Sequence, residues 1–418
     1  MIDKSFNEYM HKFIEDICNE IGPRESGTEQ ELQCGNRIED ELKKYCHKTH
    51  QEEYVSSPHA FLGGIRYGVL LVFVAIIFYW IILLRDLMLI QFDESFNLMF
   101  LTISVIFIIV TVSYFFLEVM KYHEIFDFLF PNKISKNIIG TINPTGEIKN
   151  TIIFSAHHDS AFEFNTFYYL KKFGYVIIFG GYLALGLIFL GIILRLIFLL
   201  LLIEFLMLFA VLGILYLVFT PILLFYLFFH SYKPVPGAFD NLSAVSVVLG
   251  IAKYLSENKN NNETFPKHTQ VQLISFAGEE AGLRGSKRYI KAHYDELITT
   301  HTKVVNMDGI AQKDHIIIHN KEPGIGVKHD PEIYELLLKI ANDLNIKAKL
   351  ASLPFGATDG AAFSKEGIPA ADFGSMNLRE VVSFYHTRLD TPDVVEKEGL
   401  GQVLQICLEY LKRIDKSI

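Results

Sequence analysis

The sequence predicts an α/β fold: a β-sheet flanked by helices, interrupted by two transmembrane helical hairpins that supply four transmembrane helices. Three observations carry that expectation. Short β-rich runs alternate with helical patterns through the polar parts of the chain, as in a sheet covered on both faces. Two other regions are almost free of charge over lengths that match the hydrocarbon of a bilayer. Finally, half of the 418 residues are hydrophobic and 13% are aromatic, which is high for a water-soluble protein.

Taken in order, residues 4 to 21 and 28 to 46 read as amphipathic helices joined by the turn-rich "GPRESGT". Residues 67 to 84 and 96 to 117 are uncharged and each close to the length of a bilayer span; the link with Arg85, Asp86, Asp93 and Glu94 makes them a hairpin. Strand signals follow at 137–142 and 150–156. Residues 173 to 229 carry only Arg195 and Glu204 as charges and are too long for one span, so two spans at 174–194 and 204–229 are expected, turning between those charges. Beyond them, strands are expected at 270–276, 303–307 and 315–318, and helices at 240–257, 280–293, 330–344 and 395–415. One polar domain is therefore expected in three parts, 1–66, 119–172 and 231–418, split by hairpins at 67–118 and 173–230.

Charge and cysteine content narrow the function classes. A net charge of −9 without a basic run offers no field for nucleic acid. Cys18, Cys34, Cys46 and Cys407 are widely spaced, so neither a disulfide framework nor a thiolate zinc site is expected. The amphipathic N-terminus has no apolar core of the signal-peptide kind.

The chemistry sits where strands run out. "HHD" ends the strand at 150–156, "PGAFDNLSA" places Asp240 at a helix start, and "SFAGEEAGLRGS" places Glu279 and Glu280 directly after a strand. "VVNMDG" puts Asp308 at another strand end, and "FYHTRLDT" supplies His386. These are zinc-binding residue types at the usual location of sites in open α/β sheets. A pair of zinc ions needs nitrogen and carboxylate ligands, one bridging carboxylate and a separate base. Two adjacent glutamates are commonplace on a helix surface; following a strand and a glycine, they can divide the labour of ligand and base.

In this arrangement the sequence resembles the co-catalytic two-zinc aminopeptidases, whose wider superfamily includes glutamate carboxypeptidases, glutaminyl cyclases and the transferrin receptor ectodomain. The blocks that carry the resemblance are "IGPRESGTEQE", "NIIGTI", "AHHDS", "PGAFDNLSA", "FAGEEAGLRGS", "NMDG", "TDGAAFSKEGIPA" and "YHTRLDT", in order along nearly all the non-membrane chain. The resemblance implies a mixed central β-sheet and two Zn2+ ions, one held by His157 and Asp308, the other by Glu280 and His386, with Asp240 bridging. It implies Glu279 as general base, Asp159 as acceptor for the His157 imidazole, Tyr385 as a group stabilising the oxyanion, and Asp359 near the substrate pocket. His158 reads as a structural neighbour; His293, His301, His315, His319 and His329 read as surface residues without a role.

Two departures stand out. Gly360 occupies a position where the family often has a histidine, and a membrane hairpin separates His157 from Asp240 where the family has a short loop. Since His157 and Asp240 must share one centre, the chain between them crosses the bilayer an even number of times. Arg66, Lys121, Lys171, Lys172 and Lys233 flank the spans on the domain side, against Arg85 and Arg195 in the turns, so the positive-inside rule expects a cytoplasmic catalytic domain. The expected activity is removal of N-terminal residues from peptides, including membrane-associated ones, by a two-zinc hydroxide mechanism; lipid is the other expected partner, and oligomeric state is left open. The alternatives are a one-zinc glutaminyl cyclase-like acyltransferase, or a membrane scaffold without catalysis.

Overall fold

The computed structural model describes residues 3–418. The chain divides into two compact units: one formed by the residues up to Pro58 with Phe130–Glu163 and Tyr232–Ile418, the other by His59–Leu129 and Phe164–Ser231.

The first unit is built on a sheet of nine strands. In chain order they are β1 (Lys48–Ser56), β2 (Lys133–Ile142) and β3 (Asn150–His157), then, after a separate two-stranded ribbon of β4 (Phe162–Phe164) and β5 (His230–Pro234), β6 (Thr269–Phe276), β7 (Lys303–Ile310), β8 (Ile316–Glu322), β9 (Val327–Lys328), β10 (Ala348–Ser352) and β11 (Ala370–Ser375). Spatial order is β1-β2-β6-β3-β7-β11-β8-β10, with β9 beside β8. The sheet is mixed, as expected: β6, β3, β7 and β11 run parallel in its centre, while β1 and β2 are antiparallel at one side and β8 is antiparallel to β11.

Sequence character explains these positions. Every residue of β3 is buried, and its middle, "IIF", is apolar without alternation, as suits a central parallel strand covered on both faces. The edge strand β1, "KTHQEEYVS", is largely exposed or half-buried, and its polar composition hides it from a hydrophobic-pattern search. Helices Lys4–Glu20, Ser243–Glu257 and Lys397–Lys416 bury apolar stripes that include Met10, Ile14, Val247, Leu404 and Cys407. Asp3 and Thr28 cap the first two helices by accepting from Ser5 N and Glu31 N.

The second unit packs helices Ala60–Asp86, Ser95–Ser113 with its π-helical continuation Tyr114–Met120, Gly174–Leu200 and Leu206–Tyr226. Their shared core includes Val72, Tyr79, Ile108, Ile188, Phe209 and Tyr216, whereas many leucines and phenylalanines on their other faces stay exposed. Three tyrosines seat on glycines here. Tyr114 lies over Gly64 and donates to the Ala60 and Phe61 carbonyls, Tyr226 lies over Gly181 and donates to the Ile178 carbonyl, and Tyr216 lies over Gly191. Glycine admits this close approach between helices, the use small residues have in membrane bundles.

Two expectations change. Sequence reading expects four helices able to span a membrane, but among the described residues five are long and apolar enough. The fifth, Ala238–Glu257, belongs to the first unit and is apolar because 89% of its window is buried inside the protein, against 22–44% for the other four. The second hairpin turns at residues 201–205, at the Glu204 end of the expected stretch, so its first helix runs past residue 194 to Leu200 and takes in Arg195. Arg195 is a buried helix residue whose Nη2 lies 2.6 Å from Asp86 Oδ2 and whose guanidinium sits 4.5 Å from the Tyr79 ring centroid. A charge among apolar helices is tolerable when paired in this way.

Candidate metal centre

The central strands aim their C-terminal ends at one place. His157 is the last residue of β3, Glu279 and Glu280 follow β6 on a turn, and Asp308 lies near the end of β7. Asp240 sits just ahead of helix Ser243–Glu257, and His386 is in the loop after β11 with a left-handed φ of 51°. Such backbone in a non-glycine residue is uncommon and concentrates at functional positions.

His157 Nε2 lies 3.2 Å from Asp240 Oδ1 and 3.8 Å from both Glu279 Oε2 and Asp308 Oδ1, yet makes no hydrogen bond. His386 Nε2 lies 3.0 Å from Asp240 Oδ2 and 3.2 Å from Glu280 Oε1. Asp240 thus presents one oxygen to each imidazole. Ligand-type atoms converge within 4.8 Å in two groups, His157–Asp240–Glu280 and His157–Glu279–Asp308. A buried imidazole nitrogen surrounded by carboxylates and unsatisfied by hydrogen bonds fits a cation, and the nitrogen and oxygen donors are those zinc takes. Proximity alone leaves Glu279 as close to His157 as Asp308 is.

Electrostatics agree with a site made for positive charge. Burial pushes the Glu279 carboxyl well above its usual range; His157 opposes this, and Glu280, Asp308 and Asp359 add to it. Burial likewise lifts Asp308 to about 7. Burial works against the His386 imidazolium, but Glu280 and Asp240 outweigh it and hold the group up at about 10. Crowded carboxylates thus hold protons that a divalent cation would displace.

The residues around these candidate ligands differ in part from expectation. Asp159 is fully buried, but the nearest acceptor to His157 Nδ1 is the Asp159 backbone carbonyl, at 3.1 Å, with carboxylate Oδ1 at 3.5 Å. The carboxylate accepts instead from the backbone N–H groups of Glu279, at 3.1 Å, and Glu280, at 3.2 Å. Asp159 therefore fixes the turn that carries the glutamate pair. Tyr385 stacks on His386, with ring centroids 3.9 Å apart. Burial and then Asp240, Glu280, Asp308 and Glu279 raise its phenol well above the usual value, so it is neutral and able to donate.

Asp359 is completely buried and does not line an open surface; its charge adds to the upward push on the Glu279 carboxyl. Gly360 explains that depth: a Cβ there would stand 3.1 Å from Asn306 Cβ and 3.4 Å from Asp372 Cβ, so glycine lets helix Asp359–Lys365 settle on β7 and β11. His319 and His329, read from sequence as surface residues, are buried and paired with Asp372 at 2.7 Å and Glu322 at 2.9 Å.

Some positioning residues went unassigned. Asp390 accepts from Phe239 N at 2.6 Å and Asp240 N at 3.1 Å. Asn241 bonds the Met307 carbonyl and Gly309 N, and Ser243 Oγ accepts from Ile310 N, tying the Asp240 loop to β7 beside Asp308. Asp390 lies inside the "YHTRLDT" block, but its partners are far away in sequence, so only the fold reveals the contact.

Residues 226–411 match the model of peptidase family M28. The resemblance read in the motif blocks is thus found independently over the segment that holds Asp240, Glu279, Glu280, Asp308 and His386. The chain is 29% identical over 173 residues to Aminopeptidase YwaD of Bacillus subtilis (strain 168). That match covers 40% of this chain and 35% of the relative, so the shared region is about a third of the relative's length. Among solved structures, the fold is similar to BSAP, a zinc aminopeptidase from Bacillus subtilis, with a TM-score of 0.54 at 15% identity, over 98% of this chain and 95% of that one. It is equally similar to Fimbriiglobus ruber glutaminyl cyclase, with a TM-score of 0.54 at 12% identity, over 97% of this chain and 94% of that one. At such identities the likeness is one of fold.

Proposed function

We propose that the chain is a membrane-anchored, two-zinc metallopeptidase that removes N-terminal residues from peptides. One observation carries this reading: Asp240 turns one carboxylate oxygen to His157 and the other to His386, the arrangement a carboxylate shared between two cations requires. His157 and Asp308 would hold one ion, Glu280 and His386 the other, and Asp240 both. Bound there, zinc would act as a Lewis acid on the scissile carbonyl and make an attacking water more acidic.

The chain's own residues supply the rest. Glu279 takes a proton from the attacking water, whose oxygen bonds the acyl carbon, and returns it to the nitrogen as the C–N bond breaks and the amine departs. A carboxyl held above its usual range by burial suits a group that must accept a proton and then release it. The Tyr385 hydroxyl donates to the developing oxyanion. Asp159 keeps Glu279 and Glu280 in register by holding both their backbone amides.

The membrane reading rests on the apolar outer faces of the four helices in the second unit, with Met88 and Leu202 in the turns each 89% exposed. With Arg195 buried on its helix, Arg85 is the basic residue left near the turns, so the charge bias of Arg66, Lys121, Lys171, Lys172 and Lys233 favours a cytoplasmic catalytic unit. Peptides held at the bilayer are the favoured substrates.

Hydrolysis of aminoacyl substrates by the detergent-solubilised protein and by Glu279→Gln tests the proposal. Wild type should release the amine, and the variant should lose at least about a hundredfold in kcat while keeping its zinc. Full activity in Glu279→Gln would overturn the assignment. Cyclisation of N-terminal glutamine without peptide cleavage, with one zinc per chain, would select the glutaminyl cyclase reading that the shared fold keeps in view.

A further inference from the structure

We propose that Arg24 is a positioning residue for the metal centre, clamping together the two loop ends that the second hairpin separates in sequence. Arg24 lies in the "GPRESGT" turn and is fully buried. Its Nε donates to the His158 carbonyl at 2.8 Å; Nη1 donates to the carbonyls of Gly22, at 2.8 Å, and Pro236, at 2.7 Å; Nη2 donates to the Gly237 carbonyl at 3.0 Å. The backbone adds a reciprocal pair, Arg24 N to Ser160 Oγ and Ser160 N to the Arg24 carbonyl, both at 2.9 Å.

These partners fall on both sides of the insertion. His158 adjoins the ligand His157 before the hairpin, and Pro236 and Gly237 lead into the ligand Asp240 after it. With a hairpin inserted between them, chain connectivity does not set their separation, whereas one rigid guanidinium bonded to both does. Asp390 holds the other side of the same loop through Phe239 N and Asp240 N. Asp240 therefore stands between two buried anchors. Gly237 records the closeness of the clamp: at φ 63°, a Cβ there would lie 2.8 Å from Arg24 Nη2 and 2.7 Å from Ser160 Cβ. A planar fork of five N–H groups can serve carbonyls in several directions at once, which a lysine ammonium cannot reproduce.

The zinc part of this inference rests on the proposed metal reading; the backbone part does not. The test compares the full-length wild type with Arg24→Ala in detergent, by hydrogen exchange and by zinc competition against a chelator. Exchange should quicken in residues 157–162 and 236–242 while β8 and β10 stay as in wild type. Zinc affinity should fall by about tenfold or more, and millimolar ethylguanidinium should restore much of it. Equal quickening across the whole sheet, or loop exchange and zinc affinity unchanged from wild type, would overturn the clamp. If Arg24→Ala does not fold, Ser160→Ala removes one strand of the same contact; quicker exchange in the two loops supports the clamp, and wild-type exchange there refutes it. Failure of the wild type to bind zinc would refute the metal reading alone, since the exchange comparison still decides the clamp.

Discussion

At the scale of single residues, the proposed site depends on side chains that hold backbone as much as on those that converge as candidate ligands. Asp159 is the clearest case, because its two oxygens take the amides of Glu279 and Glu280. Asp159→Asn turns one acceptor into a donor aimed at an N–H, leaving a buried amide unsatisfied. We expect zinc affinity or kcat to drop by about 10- to 100-fold, measured by chelator competition and by turnover; an effect under twofold would show that the turn holds itself. The residues proposed as ligands can be picked out in sequence because each stands at the end of a strand or in a recognisable block. Asp390, Arg24 and Asn241 were not, since they bond backbone atoms far away in sequence, and no local pattern marks such contacts. The burial of His319 and His329 escaped for a related reason: their carboxylate partners, Asp372 and Glu322, become neighbours only through sheet pairing and a local turn.

At the scale of elements, helix packing in the second unit turns on glycine and tyrosine. A Cβ at Gly191 would stand 1.9 Å from the Tyr216 hydroxyl, so Gly191→Ala forces the helices apart. We expect a loss of about 1–3 kcal/mol in thermal or denaturant unfolding, recovered largely by adding Tyr216→Phe, which removes the clashing oxygen. Additive losses would contradict the contact. The end of the second hairpin also carries a pH dependence. Burial and then the Arg66 charge depress the His230 imidazole from 6.5 to about 4. Since the unfolded chain binds this proton more tightly, the stabilising effect is full above pH 6.5 and is lost as pH falls towards 4. Unfolding temperature should therefore decline more steeply across that window in wild type than in His230→Gln; equal slopes would refute it. Burial alone does not make a strand legible: the wholly buried β3 carries the apolar run "IIF", whereas the equally buried β11, "AADFGS", has one large apolar residue, β1 is polar, and β10 has five residues and no buried position.

At the scale of the whole molecule, the α/β class, the mixed sheet and the interruption of the chain by two long apolar regions were legible, because hydrophobic run length is a strong signal. The fifth apolar helix shows where that signal misleads: an interior helix satisfies the same length and composition as a span, and only its surroundings separate the two. The proposed topology gives a direct test. Met88→Cys and Leu202→Cys should react with a membrane-impermeant thiol reagent on intact cells, whereas Lys259→Cys, in the polar loop before β6, should react only after permeabilisation. The reverse pattern would place the catalytic unit outside. The central claim, a dinuclear zinc hydrolase, is tested most directly by counting zinc in the purified full-length protein at saturating metal. Two ions per chain are expected in wild type, falling to one or none in Asp240→Ala, which removes the shared carboxylate. A wild-type stoichiometry of one or zero would contradict it.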